Sequence, residues 1–92
     1  MPHIPVNTRF TAHADRRAQQ RGKRRDALDL VYRAGDRERP AGRNRRAVSL
    51  TSRACRDLVG EGTPPELVDR ASRIELVVSE NDGFVITILN RR

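Results

Sequence analysis

Two hydrophobic periods run along this chain, and they separate its first third from its end. Ala27, Leu28, Leu30, Val31 and Ala34 recur at intervals of three and four, which predicts a helix over residues 24–34 with one buried face. Upstream, Thr11 is placed to cap an earlier helix running to about Arg21, and Gly22 is placed to end it in the left-handed conformation. Gly35 is expected to close the second helix in the same way, and two short helices separated by one glycine are expected to fold back on each other. At the far end the period is two. Residues 74–79 and 84–89 are β-branched runs joined by Glu80-Asn81-Asp82-Gly83, a turn whose Asn and Asp-Gly suit a tight hairpin. Ile74, Leu76 and Val78 are expected on one face, with Phe84, Ile86 and Ile88 on the matching face of the partner strand. This hairpin is expected to form the centre of a sheet.

The middle of the chain is less regular. Residues 36–39 and 44–50 read as two strands around a turn at Pro40-Ala41-Gly42-Arg43, and the first is charged enough to belong at a sheet edge. Thr51 or Ser52 then caps a helix over about 53–59, ended by Gly60 and Gly62. Thr63-Pro64-Pro65-Glu66 has capping-box spacing and opens a short helix over about 65–71. Residues 1–8, with Pro2 and Pro5, read as a loose tail before a single domain over 9–92. The order helix, helix, strand, strand, short helices, strand, strand predicts an α+β fold with helices on one face of a four-stranded antiparallel sheet.

Composition narrows this further. Ninety-two residues that are 36% hydrophobic and contain no Trp support one modest core of Leu, Val, Ile and Ala, in a monomer or in a dimer that hides additional surface. No apolar run approaches the ~20 residues needed to span a bilayer, so no membrane partner is expected. The start at Met1 lacks the pattern of a signal peptide. Cys55, the one cysteine, cannot form an internal disulfide, so a cytoplasmic location is expected.

Charge then singles out the first half. Residues 1–50 hold 13 Lys/Arg against 5 Asp/Glu, whereas residues 51–92 hold 6 against 7. Such asymmetry points to an anionic partner for the first half, of which RNA is the foremost. Every basic residue but Lys23 is Arg, a bias that a GC-rich genome also produces without selection for binding. Within this half, His13, Arg16, Arg17, Gln20 and Arg21 fall within an arc of roughly 140° on the first helix. Arg24 and Arg25 follow the turn, and Arg45, Arg46, Arg91 and Arg92 are further candidates for phosphate contact. Guanidinium groups clamp phosphate oxygens in pairs. An imidazole among them supplies the acid or base that metal-independent RNA cleavage needs. A histidine near a helix start also serves as a nucleic-acid contact or, most commonly, as a structural hydrogen-bond partner. All three roles stay open for His13.

Other chemistry is weaker. His3 lacks further ligands at metal spacing, so no metal site is expected. Cys55 lies between Arg53 and Arg56, which favour a reactive thiolate, but packing is the more ordinary role for a cysteine in a helix. Asp36, Glu38, Glu80 and Asp82 read as surface positions. Gly-rich phosphate loops, a serine nucleophile elbow and paired carboxylates are missing, and no cofactor is implied. Phe10, Tyr32 and Phe84 read as packing residues rather than a stacking surface for bases.

The N-terminal motif Phe10-Thr11-x-His13-Ala14-x-x-Arg17-x-x-Gln20-Arg21-Gly22, followed by an apolar helix ending at Ala34-Gly35, resembles the opening of a family of small bacterial proteins of unknown function. The end of the chain, Val77-Val78-Ser79-Glu80-Asn81-Asp82-Gly83-Phe84-Val85-Ile86-Thr87 and then Asn90-Arg91-Arg92, is similar to that family's closing hairpin with one extra turn residue. The second helix opens on Lys23-Arg24-Arg25 where members often carry Ser. The family has been linked to the RelE-like, barnase–EndoU–colicin fold group. The resemblance therefore implies a RelE-like scaffold, a ribonuclease toxin as the activity class, and His13, Arg17 and Arg21 at characteristic positions. The alternative is a non-enzymatic module that docks a protein such as an antitoxin.

Overall fold

The computed structural model describes residues 10–91, so the tail expected over 1–8, with His3, and the terminal Arg92 lie outside the described residues. Eight elements follow in the expected order: α1 (Ala12–Gln20), α2 (Arg25–Ala34), β1 (Arg37–Pro40), β2 (Arg45–Ser49), α3 (Ser52–Gly60), α4 (Pro65–Ser72), β3 (Ile74–Ser79) and β4 (Val85–Asn90). The strands form one antiparallel sheet in the order β1-β2-β3-β4. The fold is α+β, with helices packed against the sheet. Val48, Ile74, Leu76, Val78, Val85 and Ile88 join Leu28, Leu30, Val31, Val68 and the helix alanines in one core.

β3 is buried from Ile74 through Val78, so it is covered on both faces. On the face away from the main core, β2 presents Ala47 and Ser49 beside Glu75 and Val77 of β3. These side chains are small enough for Arg39 to reach across from β1. Its Nε and Nη2 donate to the two carboxylate oxygens of Glu75 at 3.1 and 2.7 Å. Such a two-point contact both satisfies the buried carboxylate and sets the guanidinium plane.

Several local expectations need correction. The hairpin supplies the centre of the sheet with one strand only, because β4 is an edge. The expected alternation of Phe84, Ile86 and Ile88 also fails. Val77 pairs with Thr87 but Val78 pairs with Val85, which leaves Ile86 as an extra residue in a bulge. One inserted residue reverses the side-chain alternation beyond it. Val85 therefore enters the core and Phe84 is 38% exposed.

α1 and α2 do not form the expected helical hairpin as their main packing. α1 lies against β4, while α2 lies against α4, β3 and β2. The inward face of α1 offers only Ala14 and Ala18, which fit closely over an edge strand but fill little space against a helix. The chain entering α1 also pairs with β4. Phe10 bridges Val85 in parallel, and Thr11 donates its N–H to the Val85 carbonyl at 3.0 Å. The Thr11 hydroxyl donates to the Ile86 carbonyl at 3.3 Å and accepts from the Ala14 N–H at 3.1 Å, so it caps α1 as expected.

Gly22 adopts the anticipated left-handed turn at φ 65°. Gly35 does not, with φ −59°. Its requirement is space, since an added Cβ would lie 2.6 Å from the Val31 carbonyl oxygen and overlap Val48. α4 starts on Pro64, which offers no side-chain cap, so the Thr63 capping box does not form. Pro65 still occupies a first-turn position where its missing N–H costs nothing. Asp36 proves to be a joint rather than a bystander. It accepts from the N–H and hydroxyl of Thr51 at 2.9 and 2.6 Å, and Thr51 in turn caps α3 by accepting from Ala54.

Two stability outcomes follow. Gly35→Ala is expected to destabilise the protein by about 1–3 kcal/mol, as overpacking does, measured by urea denaturation. The Thr51 hydrogen bonds hold the Asp36 carboxyl below the usual carboxylate range. Its contribution is therefore complete above about pH 4 and is lost as pH falls through the lowered folded value. Asp36→Asn is expected to lower stability at neutral pH and to flatten its decline below about pH 4, and unchanged pH curves would refute the link.

Candidate nucleic-acid interface

The orientation of α1 follows from its two buried alanines. With Ala14 and Ala18 against the core, His13, Arg16, Gln20 and Arg21 are exposed and Arg17 is half-buried. Among the described residues, none of these five side chains has a hydrogen bond or ion pair, and the Nε of Arg17 is enclosed without a partner. Asp15, the only acidic residue of the helix, lies on another flank, where it is bound by Arg25. The arc therefore carries three guanidiniums and an imidazole with no carboxylate of its own. His13 is exposed and, among the described residues, has no hydrogen-bond partner.

The remaining sequence candidates are dispersed. Arg25 is occupied by Asp15 and stands over the Phe10 ring, 4.7 Å from its centroid, which ties α2 to the entry of α1. Arg91 donates through Nη1 to the Leu50 carbonyl at 2.6 Å and through its N–H to the Arg73 carbonyl at 2.7 Å. These two arginines hold the fold. Arg24 pairs with Asp26 at 3.4 Å and Arg46 with Glu38 at 3.5 Å. Exposed pairs of this kind contribute only ~0–1 kcal/mol, so both guanidiniums remain recruitable by a stronger anion. Arg45 is exposed and opposite Ser79, without an ion pair among the described residues. As neighbours on one strand, Arg45 and Arg46 project to opposite faces of the sheet.

Tertiary structure adds two cations that sequence spacing did not reveal. Arg70 and Arg73, at the end of α4, line a cavity together with Arg21, Lys23 and Arg24 from the α1–α2 turn. The only local signal was their spacing of three on a helix, and nothing along the chain connects that helix to residue 21.

Cys55 behaves as a packed residue. It is half-buried beside Leu50, Ser52, Ser72 and Arg91, and burial pushes its thiol up. The charge that opposes this shift most is Arg91 rather than the adjacent Arg53 or Arg56, and burial outweighs it. Among the described residues no three of His, Cys, Asp and Glu gather as metal ligands, and no helix is long and apolar enough to cross a membrane. Compared with protein-family models, with curated proteins and with solved structures, the chain matches none.

Proposed function

We propose that this protein binds RNA through the outward face of α1, on a RelE-like scaffold in a reducing cytoplasm. The observation that carries the reading is the arc of His13, Arg16, Arg17 and Arg21, exposed or half-exposed and free of carboxylate partners among the described residues. Cations left unpaired by their own fold are set for phosphate oxygens, which guanidinium groups take with two parallel hydrogen bonds. RNA is preferred over other polyanions because the N-terminal and hairpin motifs resemble a family linked to ribonuclease folds.

The same arc supports cleavage. The His13 imidazole takes the proton of a 2′-hydroxyl, whose oxygen then attacks the adjacent phosphorus. The arginines stabilise the charge that develops on the phosphate oxygens, the bond from phosphorus to the 5′-oxygen breaks, and that oxygen leaves with a proton taken from water. No metal enters this scheme. Wild-type protein incubated with total RNA and a chelator is expected to shift and cut it, and affinity is expected to fall linearly in log–log form as salt rises. His13→Ala is expected to abolish cutting while sparing the shift, and Arg16→Ala/Arg17→Ala to weaken the shift itself. Protein that neither binds nor cuts at low salt rules out this function.

One observation favours a different class, a protein-docking module. An apolar groove of about 590 Å³ between α3 and α4 is lined by Cys55, Val59, Pro65 and Val68, with Val59 42% exposed. That reading predicts self-association or a stable protein complex. Light scattering that finds a monomer at every concentration, alone and with lysate proteins, excludes it.

A further inference from the structure

The cavity at the α1–α2 turn brings together cations from two segments of the chain about fifty residues apart. It measures about 190 Å³ and is lined by Arg21, Gly22, Lys23, Arg24, Ala27, Arg70, Arg73 and Ile74. Five of these are cations and none is a carboxylate. Arg24 and Arg73 each have an exposed acidic neighbour outside the lining, Asp26 and Asp69, both at 3.4 Å. Arg21, Lys23 and Arg70 have no ion pair among the described residues, so about three charges face the concavity uncompensated.

Local structure explains how they come together. Gly22 takes a left-handed turn that a side chain would resist, and the Lys23 N–H returns to the Ala18 carbonyl at 2.8 Å. Arg21, Lys23 and Arg24 are thereby wrapped around one point. α2 adds no free positive end, because Arg24 at its N-cap provides no side-chain cap and the Asp26 carboxylate already accepts the Ala27 N–H at 2.7 Å. From the other side, α4 delivers Arg70 from its last turn and Arg73 from its C-cap, where cations are favoured by the helix carbonyls. The helix end thus offsets part of the repulsion among the cations without supplying a counter-anion.

We propose that this cavity is a phosphate-binding subsite that seats one phosphate group of the RNA. It builds on the RNA-binding reading and extends it, because Arg21 belongs both to the α1 arc and to the cavity wall. Its volume falls below the ~300–1,000 Å³ of pockets for drug-sized ligands, yet exceeds the ~30 Å³ share of a single water several-fold. A tetrahedral oxyanion with one ester arm suits that range, and every cation on the wall is a donor to its oxygens. The group is either an internal phosphodiester or a 5′-terminal monophosphate, and the two are separated by experiment.

Lys23 and Arg70 are the residues to change, since both lie outside the α1 arc and neither has a partner among the described residues. Binding of one short RNA in its 5′-phosphorylated and 5′-hydroxyl forms is measured by fluorescence anisotropy for wild type and Lys23→Ala/Arg70→Ala. The double variant is expected to lose affinity by about tenfold or more and to lower the salt slope by about one per removed contact. Loss on both RNAs identifies an internal phosphodiester, and loss on the 5′-phosphorylated form alone identifies a terminal monophosphate. Arg53→Ala/Arg56→Ala removes the same charge from α3 and is expected to change affinity less than about threefold. Equal losses in the two double variants, or no loss in Lys23→Ala/Arg70→Ala, overturn the subsite while leaving the RNA reading standing. If wild type binds neither RNA, the RNA reading fails. Thermal stabilisation by inorganic phosphate, compared with chloride at equal ionic strength, then decides the cavity alone: absence of any difference between wild type and variant overturns it too.

Discussion

A carboxylate in the middle strand sets the terms for the sheet. Glu75 is buried in β3, and an unpaired charge there would cost several kcal/mol. The cation that meets it comes from β1, two strands away, through both ends of a guanidinium. That contact is compatible only with small residues on the intervening strand, and β2 offers Ala47 and Ser49 on that face. The charged edge strand β1 is thus joined to the centre of the sheet by more than its backbone ladder. The opposite face of β3 is left to apolar packing beneath α2 and α4.

Helix placement follows from a few joints at the sheet's margins. Thr11 is bonded to β4 and caps α1, so the helix starts from a strand edge. Gly35 lets the end of α2 approach β2 at backbone distance, and Asp36, the next residue, carries the link on to Thr51 and the start of α3. Thr11 fixes the start of α1 and α4 packs on α2 and α3, which together bring Arg21 and Arg70 to one cavity. The run Arg21–Arg24 supplies three cations of its wall, and α4 with its C-cap supplies the other two.

The charge of the chain consequently divides by task. Arg25, Arg39 and Arg91 are spent on Asp15, Glu75 and the Leu50 carbonyl. Arg24, Arg33, Arg46 and Arg73 have exposed acidic neighbours that a stronger anion can displace. Among the described residues, Arg16, Arg17, Arg21, Lys23 and Arg70, along α1, around the turn that ends it and on α4, have no ion pair, and Arg37, Arg43, Arg45, Arg53 and Arg56 have none elsewhere on the surface. The net charge of +7 is thus made up of cations bound within the fold, cations weakly paired at the surface and cations without an ion pair among the described residues.

By itself the sequence determined the order and type of the elements, because long apolar periods and turn residues are local signals. α1, α2 and the 74–79 strand lie within a residue of where periodicity and capping put them, and the arc from His13 to Arg21 needed only helical geometry. What depended on more than one segment was decided by the tertiary structure. The bulge that leaves out Ile86 reverses the face of Phe84, since register is set by pairing with β3 and not by alternation within β4. Gly35 ends α2 as expected but without the left-handed angle, and its missing side chain leaves room for Val48 of β2 and for the Val31 carbonyl. Arg25 and Arg91 looked like free cations until their partners were brought near. Arg70 joined the site only when α4 packed beside α2, since residues about fifty positions apart share no periodicity and meet only through the core that both helices cover.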